Sequence, residues 1–143
     1  MATITLFKAA RYKNESGNDC IASTTYDSLP NIAQCRYEIG KVTCAPSKSM
    51  LFLYEEYWRA KKYARLFFDG LVLKCETDGE ARPYMGRICS PSMLKHGGFQ
   101  AFWNDIEFIN RPDRPHNPSD IYPPDGTWLA KWVKPIEIVW EQE

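Results

Sequence analysis

With 143 residues, 44% of them hydrophobic and 25% charged, the chain has the make-up of one globular domain, 1–143. That composition argues against wholesale disorder and against a need for metal or disulfide staples. Lys plus Arg and Asp plus Glu both number 18, so the basic excess of a general nucleic-acid binder is missing.

The opening Thr3-Ile-Thr-Leu-Phe7 alternates, with Ile4 and Leu6 on one face, and predicts a half-buried strand. Asn14–Asp19 has the composition of a turn or loop, and Cys20–Tyr26 reads as a second strand. Pro30 then opens a short helix at 31–35.

Residues 49–68 predict the one long helix. Leu53, Tyr57, Ala60, Ala64 and Phe67 recur at helical spacing, Ser49 suits the N-cap, and Gly70 follows the end. Met50–Tyr54 also suits a short strand ahead of a shorter helix. Leu71, Leu73 and Cys75 share one face of a strand that Asp78-Gly79 ends.

Further on, 81–89 reads as an edge strand limited by Pro83. Ser90-Pro91 starts a short helix, and Ile106–Asn110 is a strand. Five prolines in 111–124 make an extended surface loop. Trp128–Val133 and Ile136–Trp140 read as strands interrupted at Pro135. Strands outnumber helices and lack crossover connections, so the expected class is α+β, a mainly antiparallel sheet with one long helix and short helices.

The N-terminus shows no basic-then-apolar leader, and the longest apolar stretch, Met50–Tyr54, is far too short to span a bilayer. The expectation is a cytoplasmic protein without a membrane partner. The five cysteines form no C-x-x-C pair and match no zinc spacing, which predicts reduced, buried thiols and no metal. Arg59, Lys61, Lys62 and Arg65, with Trp58 and Tyr63 among them, either form a solvated helix face or hold single-stranded nucleic acid. Aromatic side chains make up 14% of the chain, enough to build a core and still furnish a partner surface, with Trp103 and Trp128 as candidates.

Three segments carry a family resemblance: Thr5–Arg11, Cys20–Tyr26 and Asn104–Arg114. A cation on the first strand, a Ser-Thr strand after it, and a late strand with a glutamate before Arg-Pro-Asp-Arg together resemble the ADP-ribosyltransferase-like fold. The resemblance implies a split sheet and binding of NAD or a related nucleotide. It also implies transfer of ADP-ribose to a protein or nucleic-acid acceptor. Glu107 would be catalytic, stabilising the positive ribose of the transition state. Lys8 or Arg11 would clamp the diphosphate. Ser23 and Thr24 would brace the pocket, and Tyr26 would stack on nicotinamide. The competing class is a non-catalytic interaction protein, an inhibitor or adaptor that masks a partner through an aromatic-rich surface.

Overall fold

The computed structural model describes residues 3–15, 17–23, 35–45, 49–85, 103 and 126–142. The centre of the fold is β1 (Thr3–Glu15), a 13-residue strand that runs far beyond the expected Phe7. It turns tightly into β2 (Asn18–Ser23), with Glu15 paired to Asn18 and Gly17 at φ 83°. That left-handed conformation suits glycine, which has no Cβ to clash. Asn14–Asp19 is therefore strand except at the turn itself, because pairing overrides the polar composition.

On one side β1 pairs over Thr3–Arg11 with β6 (Gly70–Asp78), and β6 pairs with β9 (Trp132–Glu141). The other side forks. Phe7 meets Tyr54 of β5 (Leu51–Tyr54), which continues through β8 (Thr127–Ala130) to β7 (Arg82–Pro83). From Ala10 onward the neighbour is β2, followed by β3 (Arg36–Tyr37). A turn at 38–41, closed by Lys41 N–H donating to the Glu38 carbonyl at 3.1 Å, leads to β4 (Thr43–Cys44). β4 pairs with β9, so β1, β2, β3, β4, β9 and β6 form a ring that is closed between β3 and β4 by the turn and not by strand pairing. Every strand pairing among the described residues is antiparallel.

The expected α+β class with one long helix at 49–68 is overturned. The fold is mostly antiparallel β-sheet, and in place of the long helix stands α1, a short helix over Tyr57–Ala64. Met50–Tyr54 takes the strand alternative. Leu51 and Leu53 are buried while Phe52 and Tyr54 are half-buried, a period of two, and β8 supplies a hydrogen-bonding partner. Ser49 is buried ahead of β5 and caps no helix; the N-cap is Glu56, with no side-chain bond. At the other end the helix stops well before Gly70. A Cβ at Gly70 would lie 1.9 Å from the Ala64 carbonyl oxygen, so only glycine lets the end of α1 rest on the start of β6.

Alternation along β1 divides the interior in two. Leu6 and Ala10 join Leu51, Leu53, Leu71, Leu73, Cys75 and Val133 in the main core. On the opposite face Ala9 packs with Ala60, Ala64 and Val72, and Phe7, Tyr57 and Tyr63 cover them. Small alanines on both elements let α1 approach the sheet closely.

Pro135 does not interrupt β9. It pairs with Cys75 beside a register irregularity, and its carbonyl accepts the Gly40 N–H at 2.8 Å. The expected 81–89 strand is seen as the two-residue β7; its remainder from 86 lies outside the described residues. The helix residues 31–34, the helix at Ser90-Pro91, the Ile106–Asn110 strand and the 111–124 loop also lie outside them. Cys35, which is described, is not helical.

Candidate functional site

Lys8 and Arg11 lie three residues apart on β1, so their side chains leave opposite faces of the strand. Lys8 shares the main-core face with Leu6 and Ala10, whereas Arg11 shares the α1 face with Phe7 and Ala9. The two cations therefore do not converge on one ligand.

Lys8 Nζ donates to the Phe52 carbonyl at 2.6 Å, linking β1 to β5 where the sheet forks. Some of its surface reaches solvent, but the ammonium group sits in a dense shell of protein atoms, and no carboxylate pairs with it among the described residues. Desolvation lowers its pKa, and the nearby Cys35 and Cys75 thiols oppose that only in part. Burial pushes the Cys35 thiol up, against weaker opposing effects of Tyr37 and Lys8. Cys75 is pushed up to about 12 by burial, and the Tyr37 phenol well above its ordinary value. The Tyr37 hydroxyl lies beside Cys35, close enough to affect its titration, yet makes no hydrogen bond of normal geometry. At neutral pH both thiols and the phenol are uncharged. A thiol needs its thiolate form to act as a nucleophile, so Cys35 and Cys75 are chemically quiet.

Arg11 is fully engaged within the protein. Its guanidinium forks onto Asp69, Nε to Oδ1 at 2.9 Å and a terminal nitrogen to Oδ2 at 3.3 Å, and lies 5.3 Å from the centre of the Phe67 ring. Tyr12 N–H donates to the Asp69 carbonyl at 3.0 Å. These contacts fasten the turn between α1 and β6 to the end of β1.

Of the other residues singled out in the sequence, Ser23 ends β2 opposite Ala10. Thr24, Tyr26 and Glu107 lie outside the described residues. The basic cluster of α1 splits. Arg59 stacks on Trp58 at 4.3 Å and pairs with Glu56 at 3.5 Å, and Lys61 lies 5.8 Å from the Trp140 ring. Lys62 and Arg65 are exposed and pair with no acid among the described residues. Trp103 is buried against Phe52, and Trp128 is partly buried on the main core.

Sequence reasoning missed the α1–β6 corner. Phe67 packs edge-on to Tyr63 at 5.4 Å, while its neighbours Leu66 and Phe68 are 75% and 93% exposed. The signal was the Leu66-Phe67-Phe68 run itself, three large side chains of which a helix stripe could bury only one. Four cysteines, Cys20, Cys35, Cys44 and Cys75, are free. No group of three potential ligands for a metal occurs among the described residues, and no helix there is long and apolar enough to cross a membrane.

No family model matches the chain, and neither a curated protein nor a solved structure matches it.

Proposed function

We propose that this chain is a non-catalytic, cytoplasmic interaction module that binds a partner surface through the α1–β6 corner. The observation that carries it is Phe68, an aromatic side chain left 93% exposed beside an exposed Leu66 on a corner that is otherwise tightly tied down. Large apolar side chains grouped at the surface mark interaction sites more often than chance placement does. Of the buried polar groups, by contrast, Cys75 and Tyr37 are held in their uncharged forms by burial, and Lys8 is bonded to the Phe52 carbonyl.

Complementation tests this. In cells lacking the gene, Phe68→Asp is expected to abolish rescue and Glu107→Gln to leave it intact. Rescue by Phe68→Asp together with failure of Glu107→Gln would reverse the assignment.

The ADP-ribosyltransferase-like alternative, with NAD as ligand, draws support from one observation: β1 and β2 are adjacent, with Arg11 opposite Ala22 and Ser23 opposite Ala10. That sets the strand of the first cation beside the start of the Ser-Thr strand, in the chain order on which the family resemblance rests. It has to contend with Asp69, which occupies the Arg11 fork. Titration calorimetry with NAD decides it: heat that is lost in Arg11→Ala supports a nucleotide site, and no heat removes it.

A further inference from the structure

The chemistry of the α1–β6 corner narrows the class of partner, an inference that rests on the corner being the binding surface. Phe67 packs against Tyr63 and Arg11, while its neighbours in the chain, Leu66 and Phe68, are exposed. Next to them in the chain are the exposed cations Lys62 and Arg65, with Lys61 half-buried beside Trp140. Of the corner's acids, Asp69 is neutralised by Arg11 and Glu141, opposite Leu71 at the start of β6, accepts the Tyr12 hydroxyl. Lys61, Lys62 and Arg65 thus outnumber the one carboxylate left over. The tip is therefore apolar and net positive.

It is also pre-ordered. Arg65 N–H donates to the Lys61 carbonyl at 2.9 Å, and the Gln142 side-chain amide to the Arg65 carbonyl at 3.4 Å. The Gly70 backbone lies against Ala64. Little conformational entropy remains to be lost on docking.

Two exposed apolar side chains, close in the chain to exposed cations that pair with no acid among the described residues, complement an anionic bilayer surface. The apolar groups enter between headgroups while Lys and Arg meet the lipid phosphates and carboxylates. A protein partner would need an acid-rimmed concavity shaped to both side chains, whereas a fluid bilayer accommodates them without prior fit. We propose that the α1–β6 corner docks the protein reversibly on an anionic lipid surface, with Leu66 and Phe68 inserted and Lys62 and Arg65 on the headgroups. That no helix among the described residues is long and apolar enough to cross a membrane does not bear on docking of this kind. Two side chains and two or three cations give weak attachment that salt disrupts.

Flotation of the full chain with vesicles tests it, using phosphatidylcholine alone and phosphatidylcholine with about 30% phosphatidylserine, a charge density akin to an anionic leaflet. The expected result is binding only to the anionic vesicles, falling as salt rises. Phe68→Asp and the double variant Lys62→Glu, Arg65→Glu should each lower the partition coefficient by about tenfold or more. These side chains are exposed, so the variants should fold, and circular dichroism confirms it. No binding to anionic vesicles at low salt, or binding that the variants leave unchanged, overturns the lipid assignment. If vesicle binding is absent while Phe68→Asp still abolishes complementation, the corner serves an acidic protein surface, and the interaction-module assignment stands. If Phe68→Asp complements fully, that assignment falls as well.

Discussion

The interior of the strand ring and the α1–β6 corner invert the usual placement of polar and apolar side chains. Inside, a lysine amine, two thiols and a phenol lie among leucines. Outside, a leucine and a phenylalanine lie beside hydrated cations. The two inversions have different causes. Position in a strand is set by alternation, so Lys8 goes inward because Leu6 and Ala10 do. Its environment then favours the neutral amine. At the corner no alternation forces Leu66 and Phe68 outward; the packing of Phe67 and the approach of Ala64 to Gly70 leave them there. The first inversion is a by-product of architecture, and the second is free to be a binding feature.

The comparison breaks most readily at the core. Leu53 is fully buried, faces Trp128 on β8 and belongs to the main cluster. Leu53→Ala is expected to cost about 2–5 kcal/mol, the range for emptying a well-packed site. Urea unfolding measures it. A loss below about 1 kcal/mol would show that the β5–β8–β7 arm is not packed onto the ring as described.

Alkaline titration sharpens the account of the ring interior. A thiol or phenol whose folded pKa is raised contributes stability that is present below its unfolded pKa and lost as pH climbs through the folded one. For Cys75 that window runs from 9.0 to about 12, and Cys35, Tyr37 and Tyr54 act in the same direction. Lys8 acts oppositely. Its lowered pKa penalises the fold while the amine must be charged, and that penalty disappears by its unfolded value of 10.5. Four groups outweigh one, so the urea midpoint under reducing conditions should fall between pH 9 and pH 11. Cys75→Ala should flatten the fall and Lys8→Met should steepen it. A midpoint that stays level over this range would place these groups in water, and one that rises would make the Lys8 amine dominant.

Where local pattern and tertiary demand agreed, the sequence was legible. Leu71, Leu73 and Cys75 alternate onto one face, and Asp78-Gly79 ends β6, with the Asp78 carboxylate accepting the Glu80 N–H at 3.1 Å. The long helix misled because Leu53, Tyr57, Ala60 and Ala64 carry helical spacing across a real boundary. Tyr57, Ala60 and Ala64 are on the packed face of α1, but Leu53 belongs to a strand whose partner, β8, lies some 75 residues downstream. Pairings that distant leave no trace in a local window. The same holds for the site: nothing near Arg11 in the chain announces that Asp69 fills its fork, or that Lys8 and Arg11 face apart once β1 runs through both.

The smallest expected effect is the most telling for the corner. Phe68 contributes almost no buried area, so Phe68→Asp should leave stability within about 0.5 kcal/mol of the parent, as surface substitutions do. The new carboxylate would be exposed to solvent, where any attraction to exposed cations is worth little. Thermal unfolding of the two proteins side by side is the measurement. Equal midpoints mean that an aromatic ring is displayed there without serving the fold, which is what a docking residue requires. A drop of more than about 1 kcal/mol would show that the ring is packed in solution, and the contrast between a structural interior and a free corner would be lost.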